Sequence, residues 1–233
     1  MSAAFFRRAG ILLRRPKTSY AIKPEALALY SQEESKNIRF MSKISWRPGT
    51  MVYPLPAALV TVGATPEEWN PITVAWIGTI CSDPAMLYIS VRPERHSHAI
   101  LMERMEFTVN LTTADMARAT DWCGVRSGKD FDKWKETGLT PIPGEKVASP
   151  TIEQSPLSIE CRVKSVTSLG SHDMFIAEVL NVRADSRFIE PETDRFALEK
   201  SGLMAYCHGH YFSLGEMIGK FGFSVQKTPK AKK

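Results

Sequence analysis

Apolar and polar side chains alternate at every second position through the middle of the chain, the period of a strand with one buried face. One such run spans residues 72–80 and the next spans residues 86–91. Between them lies Ser82-Asp83-Pro84, which predicts a turn because Pro fixes φ and Asp hydrogen-bonds nearby backbone. The pattern therefore predicts two antiparallel strands joined by a short loop.

Further β-runs follow the same pattern at residues 58–64, 106–111, 157–166 and 174–182. The run at 157–166 alternates most cleanly and predicts an antiparallel strand with one solvent-facing side. Residues 170–173 (GSHD) separate it from its partner and predict a hairpin turn. Many short strands at near-regular spacing predict a mainly β fold, a closed or nearly closed antiparallel barrel with a few short flanking helices.

The second β-run ends in a cluster of cationic and hydroxyl side chains, Arg92-Pro93-Glu94-Arg95-His96-Ser97. Ser97 is the expected N-cap of a helix that extends to about Arg104. A helix N-terminus stabilises an anion, and guanidinium groups suit phosphate oxygens. Either arginine alone fits an ordinary solvated loop, but Arg92, Arg95 and Ser97 together favour an anion site.

Two other places are candidates for contact with a ligand. Thr79-Ile80-Cys81 ends the first β-run, where backbone N–H groups are expected to be free. Asn110 lies among apolar residues and must satisfy both functions of its amide. Either a ligand or the neighbouring backbone could form these hydrogen bonds, and the sequence slightly favours the backbone.

The sequence lacks the motifs of several classes of enzyme and binding protein. Neither G-x-G-x-x-G nor G-x-x-x-x-G-K-[ST] occurs, and no G-x-S-x-G elbow supports a serine hydrolase. The four cysteines are widely spaced without a C-x-x-C pair, which argues against a disulfide framework or a zinc ribbon. Cys207-His208-Gly209-His210 is rejected as a metal site because adjacent side chains usually point apart.

The net charge of +5 comes from the N-terminal region. Residues 1–40 hold eight Lys or Arg against three acidic residues, whereas residues 41–233 hold 22 of each. A basic face for nucleic acid is therefore not supported on the folded body. No apolar run approaches the ~20 residues that span a bilayer, so no membrane partner is expected.

Three regions are expected along the chain: a poorly ordered basic extension at 1–45, a folded domain at 46–223 and a basic disordered tail at 224–233. Residues 1–24 are rich in Arg and lack acidic residues, as in a mitochondrial presequence. A poorly ordered extension, or a folded sequence that begins near Met41, is favoured over that alternative. The expected location is cytoplasmic, with mitochondrial as the alternative.

The ordered set of motifs resembles the flavin reductase-like, FMN-binding split-barrel family, particularly its flavoredoxin-type branch. The motifs are Asn70-x-x-Thr73-x-Ala75-Trp76, Gly78-x-x-Cys81, Ser90-x-Arg92-x-x-Arg95-x-Ser97, Phe107-x-Val109-Asn110, Cys123-Gly124-x-x-Ser127-Gly128-x-Asp130-x-Asp132-Lys133, Pro156-Leu157-x-Ile159-Glu160-Cys161 and His208-x-x-Tyr211-x-x-Leu214-Gly215.

The resemblance implies a split β-barrel homodimer with FMN near the subunit interface. Arg92, Arg95 and Ser97 would meet the phosphate, and backbone around Thr79-Ile80-Cys81 would meet the isoalloxazine edge. The same resemblance adds further cofactor contacts, at Ser90, Asn110, Ser127, Gly128, Lys129 and Tyr211.

The implied activity is that of an FMN-dependent oxidoreductase of the flavin reductase type. NADH or NADPH is the implied transient donor, and a small molecule or a partner protein the acceptor. The flavin carries the chemistry, so no catalytic side chain is assigned. One alternative is an FMN-binding electron-transfer protein without nicotinamide reductase activity, and another is a scaffold that binds no flavin.

Overall fold

The computed structural model describes residues 43–226. The chain divides into two units, residues 1–49 and 50–233, and every element below belongs to the second. The described part of the first unit, residues 43–49, has no helix or strand. Most of the expected extension at 1–45 and of the expected tail at 224–233 lies outside the described residues, and residues 223–225 form one 3-10 turn.

Fourteen strands are present in the described region. They are β1 (Leu55–Pro56), β2 (Ala58–Val62), β3 (Asn70–Val74), β4 (Ile77–Ser82), β5 (Ala85–Val91), β6 (Glu106–Asn110), β7 (Pro141–Ile142), β8 (Thr151–Ile152), β9 (Leu157–Ser168), β10 (Asp173–Ala184), β11 (Ile189–Glu190), β12 (Arg195–Phe196), β13 (Met204–Cys207) and β14 (His210–Ser213). Seven form one sheet in the order β3-β2-β6-β9-β10-β5-β4, and every neighbouring pair is antiparallel.

The two edges of this sheet are consecutive in the chain. Only Ala75 and Trp76 separate β3 from β4, so the link covers at most about 11 Å. In a flat sheet, six strand spacings would place the edges about 29 Å apart. The sheet must therefore curl until its edges meet, which confirms the predicted barrel. We call the line where β3 meets β4 and β5 the seam.

The single β-run predicted at residues 72–80 is in fact two strands. Because all six pairings are antiparallel, β3 and β4 point in the same direction as halves of one kinked run, with β3 on β2 and β4 on β5. At the kink the Ile77 amide donates to Ala75 O and the Ser90 amide donates to Trp76 O. The buried positions shift by one residue at the break, from Ile72 and Val74 to Ile77. Because Ala75 and Trp76 between them are also apolar, the sequence pattern alone does not reveal the break. The turn predicted at Ser82-Asp83-Pro84 joins β4 to β5 as expected.

In the described part of the chain, three short helices flank the barrel: α1 (His96–Arg104), α2 (Ala117–Val125), which follows a 3-10 turn at Ala114–Met116, and α3 (Lys133–Thr137). Asp132 caps α3 by accepting from the Lys135 amide, and Gly138 ends it in the left-handed conformation. Within residues 43–226, no helix is long and apolar enough to cross a bilayer.

The barrel interior holds the main core. Its fully buried side chains include Val60, Ile89, Leu101, Phe107 and Phe175, which come from four strands and α1. A smaller cluster around Leu59, Met116 and Cys123 packs outside the sheet. The two clusters fix the helices against the barrel wall.

The polar face of β9, predicted to be exposed to solvent, is exposed over only part of its length. In β9, Ser158 and Glu160 are buried, and alternation with solvent begins at Arg162. The reason is that residues 143–152 cover the polar face. The Glu160 carboxylate holds this cover by accepting from the backbone amides of Glu145 and Val147 at 3.0 and 3.3 Å, and from that of Lys146.

Substitution of Glu160 by Ala should destabilise the fold strongly. It leaves three amide donors and the Asn181 side chain, which donates to the same carboxylate, without their acceptor. We expect a loss of about 2–5 kcal/mol in the free energy of unfolding, measured by urea denaturation. Glu178→Ala is the matched control, because Glu178 forms a surface pair with Lys164 on β9, and it should cost less than about 1 kcal/mol. Equal effects of the two substitutions would contradict the role of Glu160.

Candidate functional site

A concavity of about 220 Å³ opens at the seam, and we call it the aromatic pocket. Its lining residues are Ala57, Ile72, Thr73, Val74, Ala75, Trp76, Ser90, Val91, Arg92, Arg95, Gly124, His172, Tyr206 and Tyr211. The β3–β4 kink supplies one wall and the end of β5 supplies another. The three-stranded sheet β1-β13-β14 contributes the two tyrosines, which face each other across the β13–β14 pair. The kink that closes the barrel thus also creates the pocket.

Trp76 and His172 form a parallel stack at this pocket, with ring centroids 6.2 Å apart and an interplanar angle of 2°. His172 ends the β9–β10 turn. Its position follows from register, since Asp173 pairs with Val91 and therefore places His172 beside Arg92. Burial, and then the positive charge of Arg92, lower the pKa of His172. The imidazole is consequently neutral at neutral pH.

Tyr211 lies in the same pocket and acts as a hydrogen-bond donor. Its hydroxyl donates to Asp121 Oδ1 at 3.2 Å, and its ring meets Tyr206 edge-on at 5.7 Å. Burial, reinforced by the Asp121 carboxylate, raises the pKa of Tyr211 to about 12. The phenol therefore stays protonated, and its role as a cofactor contact stays a prediction.

A second concavity of about 230 Å³ lies at the start of α1, and we call it the anion seat. Its lining residues are Asn70, Ile72, Glu94, Arg95, His96, Ser97, Val125, Arg126, Ser127, Gly128 and Lys133. Arg95 and Ile72 line both concavities, so the two are continuous. No side chain caps the first turn of α1, which leaves its amides available to an anion.

Arg95, rather than Ser97, is the N-cap of α1, so the predicted cap is wrong. Ser97 lies one residue inside the helix and is almost fully buried. Its hydroxyl accepts from Asn70 Nδ2 at 2.7 Å. A Cβ atom on Gly128 would overlap the Asn70 amide oxygen, so a larger residue there would have to displace the Asn70 side chain from Ser97. This close approach draws the 127–129 loop against the start of α1.

Lys133 is the strongest electrostatic feature of the seat, and the sequence prediction missed it. Its side chain is only 3% exposed, and Nζ donates to Pro71 O and Cys123 O, both at 2.9 Å. Burial lowers the pKa of Lys133 to about 8. The sequence signal was the Asp132 cap, which starts α3 and turns the next residue inward. The family resemblance instead implied Lys129, which is exposed.

Main-chain carbonyls at the C-terminus of α2 hold two of the three cations that line the seat, Lys133 and Arg95; the third, Arg126, lies over the Phe131 ring. Cys123 O accepts from Lys133, and Gly124 O accepts from Arg95 Nη2 at 2.6 Å. Within residues 43–226, neither cation is paired with a carboxylate. The lining holds three cations against one carboxylate, that of Glu94, which pairs with Arg92, and the helix C-terminus adds only about half a negative charge. The seat is therefore net positive and suits an anion.

Arg92 does not share the seat with Arg95. It lines the aromatic pocket, its side chain is 54% exposed, and it pairs with Glu94 at 3.3 Å. Of the predicted site residues, Arg95, Ser97, Ser127 and Gly128 meet in the seat, whereas Ser90, Arg92 and Tyr211 meet in the pocket. The arginine pair thus divides between two adjoining concavities.

The remaining predicted residues lie elsewhere. Thr79, Ile80 and Cys81 are on β4, the edge strand, and line none of the concavities. Asn110 is fully buried; its amide donates to Leu59 O and accepts from the amide of Ile152. Its assignment to the cofactor site is corrected accordingly, since the sheet satisfies both functions of the amide.

A third concavity of about 830 Å³ adjoins the seat, and we call it the outer cleft. Its lining residues are Thr65, Pro66, Glu67, Glu68, Trp69, Asn70, His96, Ile100, Arg104, Gly128, Lys129, Asp130, Phe131, Asp132, Lys133 and Trp134. It shares Asn70, His96, Gly128 and Lys133 with the seat but no residue with the aromatic pocket. The three concavities therefore follow one another in a fixed order, with the seat in the middle.

All four cysteines are unpaired. Burial raises the pKa of Cys123 to about 11 and, with help from Glu160, that of Cys161 to about 12. These two thiols stay protonated and are poor nucleophiles. In the described part of the chain, no three His, Cys, Asp or Glu side chains are grouped to hold a metal ion.

Comparison with known proteins places this arrangement in a family. A model described as a flavin reductase like domain matches residues 50–215. Flavoredoxin of Desulfovibrio vulgaris (Miyazaki F) is 27% identical, with a TM-score of 0.73 over 79% of this chain and 100% of that chain. Flavoredoxin from Methanosarcina acetivorans, at 22% identity, shares the fold, with a TM-score of 0.70 over 80% of this chain and all of that one.

A curated relative carries an enzyme name. It is NADH:riboflavin 5′-phosphate oxidoreductase of Streptomyces pristinaespiralis, 21% identical over 133 residues, which cover 55% of this chain and 70% of that protein. The matched region of the family model contains the seam, the anion seat and both pocket tyrosines. With its split barrel and its joined cationic and aromatic concavities, this chain belongs to the flavin reductase-like family of flavin-related oxidoreductases.

Proposed function

We propose that the protein binds FMN and transfers electrons from NADH or NADPH through it to an acceptor. The observation that carries the proposal is the anion seat, where two cations without carboxylate partners adjoin an aromatic pocket at the seam. FMN has the matching chemistry, because a phosphate dianion is joined to a flat aromatic ring. The relatives named as flavoredoxins and as an NADH:riboflavin 5′-phosphate oxidoreductase support the same cofactor class.

The residues present fit this cofactor on their own chemistry. Arg95, Lys133 and the first amides of α1 would hold the phosphate, with the Ser97–Asn70 pair fixing the floor beneath it. Ser127 and Gly128 border the same seat, and Lys129 lies just beyond it. The aromatic pocket, with Ser90, Arg92 and Tyr211 in its wall, would receive the ring.

The bound flavin supplies hydride and electron transfer, and the protein supplies position and environment. His172 is neutral and Tyr211 is protonated, so both meet a ring edge as uncharged groups. The Trp76–His172 stack and the two tyrosines give the pocket aromatic walls. The sequence lacks a dinucleotide-binding glycine motif, so the nicotinamide donor would bind transiently over the flavin.

A homodimer with FMN near its interface is part of the proposal. The edge strand β4 exposes Thr79 and Ile80, the latter 48% exposed, and its outer edge pairs with no strand of the described region. A partner subunit would cover these residues and bring their backbone toward a flavin ring. Analytical ultracentrifugation with and without FMN tests the assembly, and a monomer at all concentrations would contradict it.

An electron-transfer protein without its own nicotinamide reductase activity is the second candidate. The similarity to flavoredoxin favours it. Steady-state oxidation of NADH and NADPH by purified holoprotein, with free flavin, ferric iron or a protein as acceptor, separates the two. The visible spectrum before and after anaerobic NADH or NADPH completes the test, because bleaching of a flavin band supports the reductase. A protein that binds no added FMN would overturn both candidates.

Arg95→Ala should weaken FMN binding by about 10- to 150-fold, the value of one charge-assisted hydrogen bond. Quenching of flavin fluorescence measures the dissociation constant. Riboflavin, which has no phosphate, should bind weakly and equally to the wild type and the variant. Arg118→Ala is the matched control, because Arg118 is exposed on α2 and lines none of the concavities. Unchanged FMN affinity in Arg95→Ala would contradict the seat.

FMN affinity should fall as the pH rises through about 8. The lowered pKa of Lys133 means that the free protein loses this positive charge near pH 8, while the phosphate stays dianionic. Linkage then predicts about a tenfold weaker affinity at pH 9 than at pH 7. Lys133→Met should bind FMN weakly at both values and show no such dependence. The same pH dependence in the variant, or in riboflavin binding, would assign it to another group.

A further inference from the structure

A mostly buried hydrogen bond joins the helix of the anion seat to the hairpin of the aromatic pocket. His98 Nε2 and Asp173 Oδ2 are 2.7 Å apart, and the two side chains are 13% and 15% exposed. Among the contacts between acidic and basic side chains in residues 43–226, this one is the least exposed. Neither residue lines a concavity, so the binding sites proposed above do not use them.

His98 lies in the first turn of α1, next to the anion seat. Its amide donates to Arg95 O at 2.9 Å, and Arg95 is both the N-cap of α1 and a lining residue of the seat. Ser97, the residue before His98, lines the seat as well. The position of the His98 ring is therefore tied to the turn that presents Arg95 and the free amides to an anion.

Asp173 is the first residue of β10 and directly follows His172. Neighbouring residues of a strand point to opposite faces, so the Asp173 carboxylate reaches α1 while the His172 ring stacks on Trp76. The Leu169 amide donates to His172 O at 2.9 Å, which closes the hairpin tip. The hydrogen bond from His98 lowers the pKa of Asp173, so this carboxylate is charged at neutral pH.

Both partners of the pair are anchored in the barrel. The His98 ring packs edge-on against Phe175, with centroids 5.6 Å apart and an interplanar angle of 73°, and Phe175 is fully buried in the core. Asp173 pairs with Val91 on β5 and with Ser168 on β9. Separation of the pair would leave a buried charged group without its partner, which is costly. An anion that holds the start of α1 in place therefore also holds the hairpin tip in place.

We propose that the His98–Asp173 pair makes binding in the anion seat and binding in the aromatic pocket cooperative, with both side chains as positioning residues. The proposal rests on the proposed function, because FMN has to fill the two concavities at once. An anion in the seat fixes the His172–Trp76 stack, so the ring meets a wall that is already in place. The ring gives the same advantage to the anion, since coupling between two sites is reciprocal.

Separate ligands test the coupling, because inorganic phosphate fills only the seat and riboflavin fills only the pocket. Saturating inorganic phosphate should tighten riboflavin binding to the full-length protein by about 5-fold or more, the lower end of typical coupling between sites. Quenching of flavin fluorescence measures the riboflavin dissociation constant, with chloride at equal ionic strength as the reference. His98→Leu should abolish the effect and should weaken FMN binding by the same factor.

Matched variants separate the pair from the general stability of α1. His98→Gln restores a side-chain donor to Asp173 and should keep the cooperativity. Arg104→Leu breaks the ion pair with Glu68 at the other end of α1, and Arg104 lines neither the seat nor the aromatic pocket. It should lower the melting temperature and leave the cooperativity unchanged. Should His98→Leu not fold, Asp173→Asn keeps the shape of the pair, removes its charge and should weaken the cooperativity.

Hydrogen exchange gives a readout without any flavin. Inorganic phosphate alone should slow exchange of the amides at residues 169–174, at the hairpin tip, in the wild type and in His98→Gln. It should have no such effect in His98→Leu. The β11–β12 hairpin lines none of the concavities and serves as the internal control, because its exchange should not respond to phosphate in any of these proteins.

The outcomes distinguish this inference from the proposed function. The inference fails if phosphate leaves riboflavin affinity unchanged or weakens it in the wild type, or if His98→Leu keeps full cooperativity. Equal losses in His98→Leu and Arg104→Leu would assign the effect to the stability of α1 and overturn the role of the pair. Tight FMN binding without cooperativity leaves the proposed function standing. A protein that binds neither FMN nor riboflavin overturns the proposed function, and hydrogen exchange with phosphate then still tests the pair.

Discussion

The two-residue link between β3 and β4 is the constraint on which the rest of the structure depends. Hydrogen bonding places these strands at opposite edges of a seven-stranded sheet, while the covalent chain holds them together. The sheet has to curl to satisfy both demands. Where the edges meet, the ladder is interrupted, and the kink at Ala75 and Trp76 leaves a gap that the aromatic pocket occupies. The same two-residue link therefore closes the barrel and forms the pocket.

The positive charge of the anion seat depends on a second feature: main-chain carbonyls, rather than carboxylates, accept hydrogen bonds from Arg95 and Lys133. A carboxylate beside Lys133 or Arg95 would neutralise the seat and compete with a bound anion. The last turn of α2 instead supplies fixed dipoles that orient both side chains while leaving most of their charge uncompensated. The energetic consequence is visible in the lowered pKa of Lys133, which records the cost of keeping this ammonium group buried. An anion in the seat would relieve that cost.

Much of this molecule follows from its sequence, and the failures have physical reasons. Strand alternation located β5, β6, β9 and β10, because a buried face imposes a period of two. It missed the break in the 72–80 run, because Ala75 and Trp76 are apolar and hide the one-residue shift of the buried positions between Val74 and Ile77. It did not foresee that Glu160 would be covered, because the cover comes from residues 143–152, distant in sequence. Only the folded register brings His172 to Arg92, and only tertiary packing buries Lys133.

The tip of the β9–β10 hairpin borders the aromatic pocket but not the anion seat. Each arm has twelve residues, the arms are anchored in the barrel, and the tip at residues 167–171 is exposed. Next to that tip, His172 meets Trp76, far along the chain from α1 and the 127–133 segment, which line the anion seat. Changes in the length or sequence of the tip would reshape the aromatic pocket while leaving the anion seat intact. Under the proposed function, retention of the cofactor and selection of a reaction partner would then depend on separate stretches of chain, and each could diverge independently.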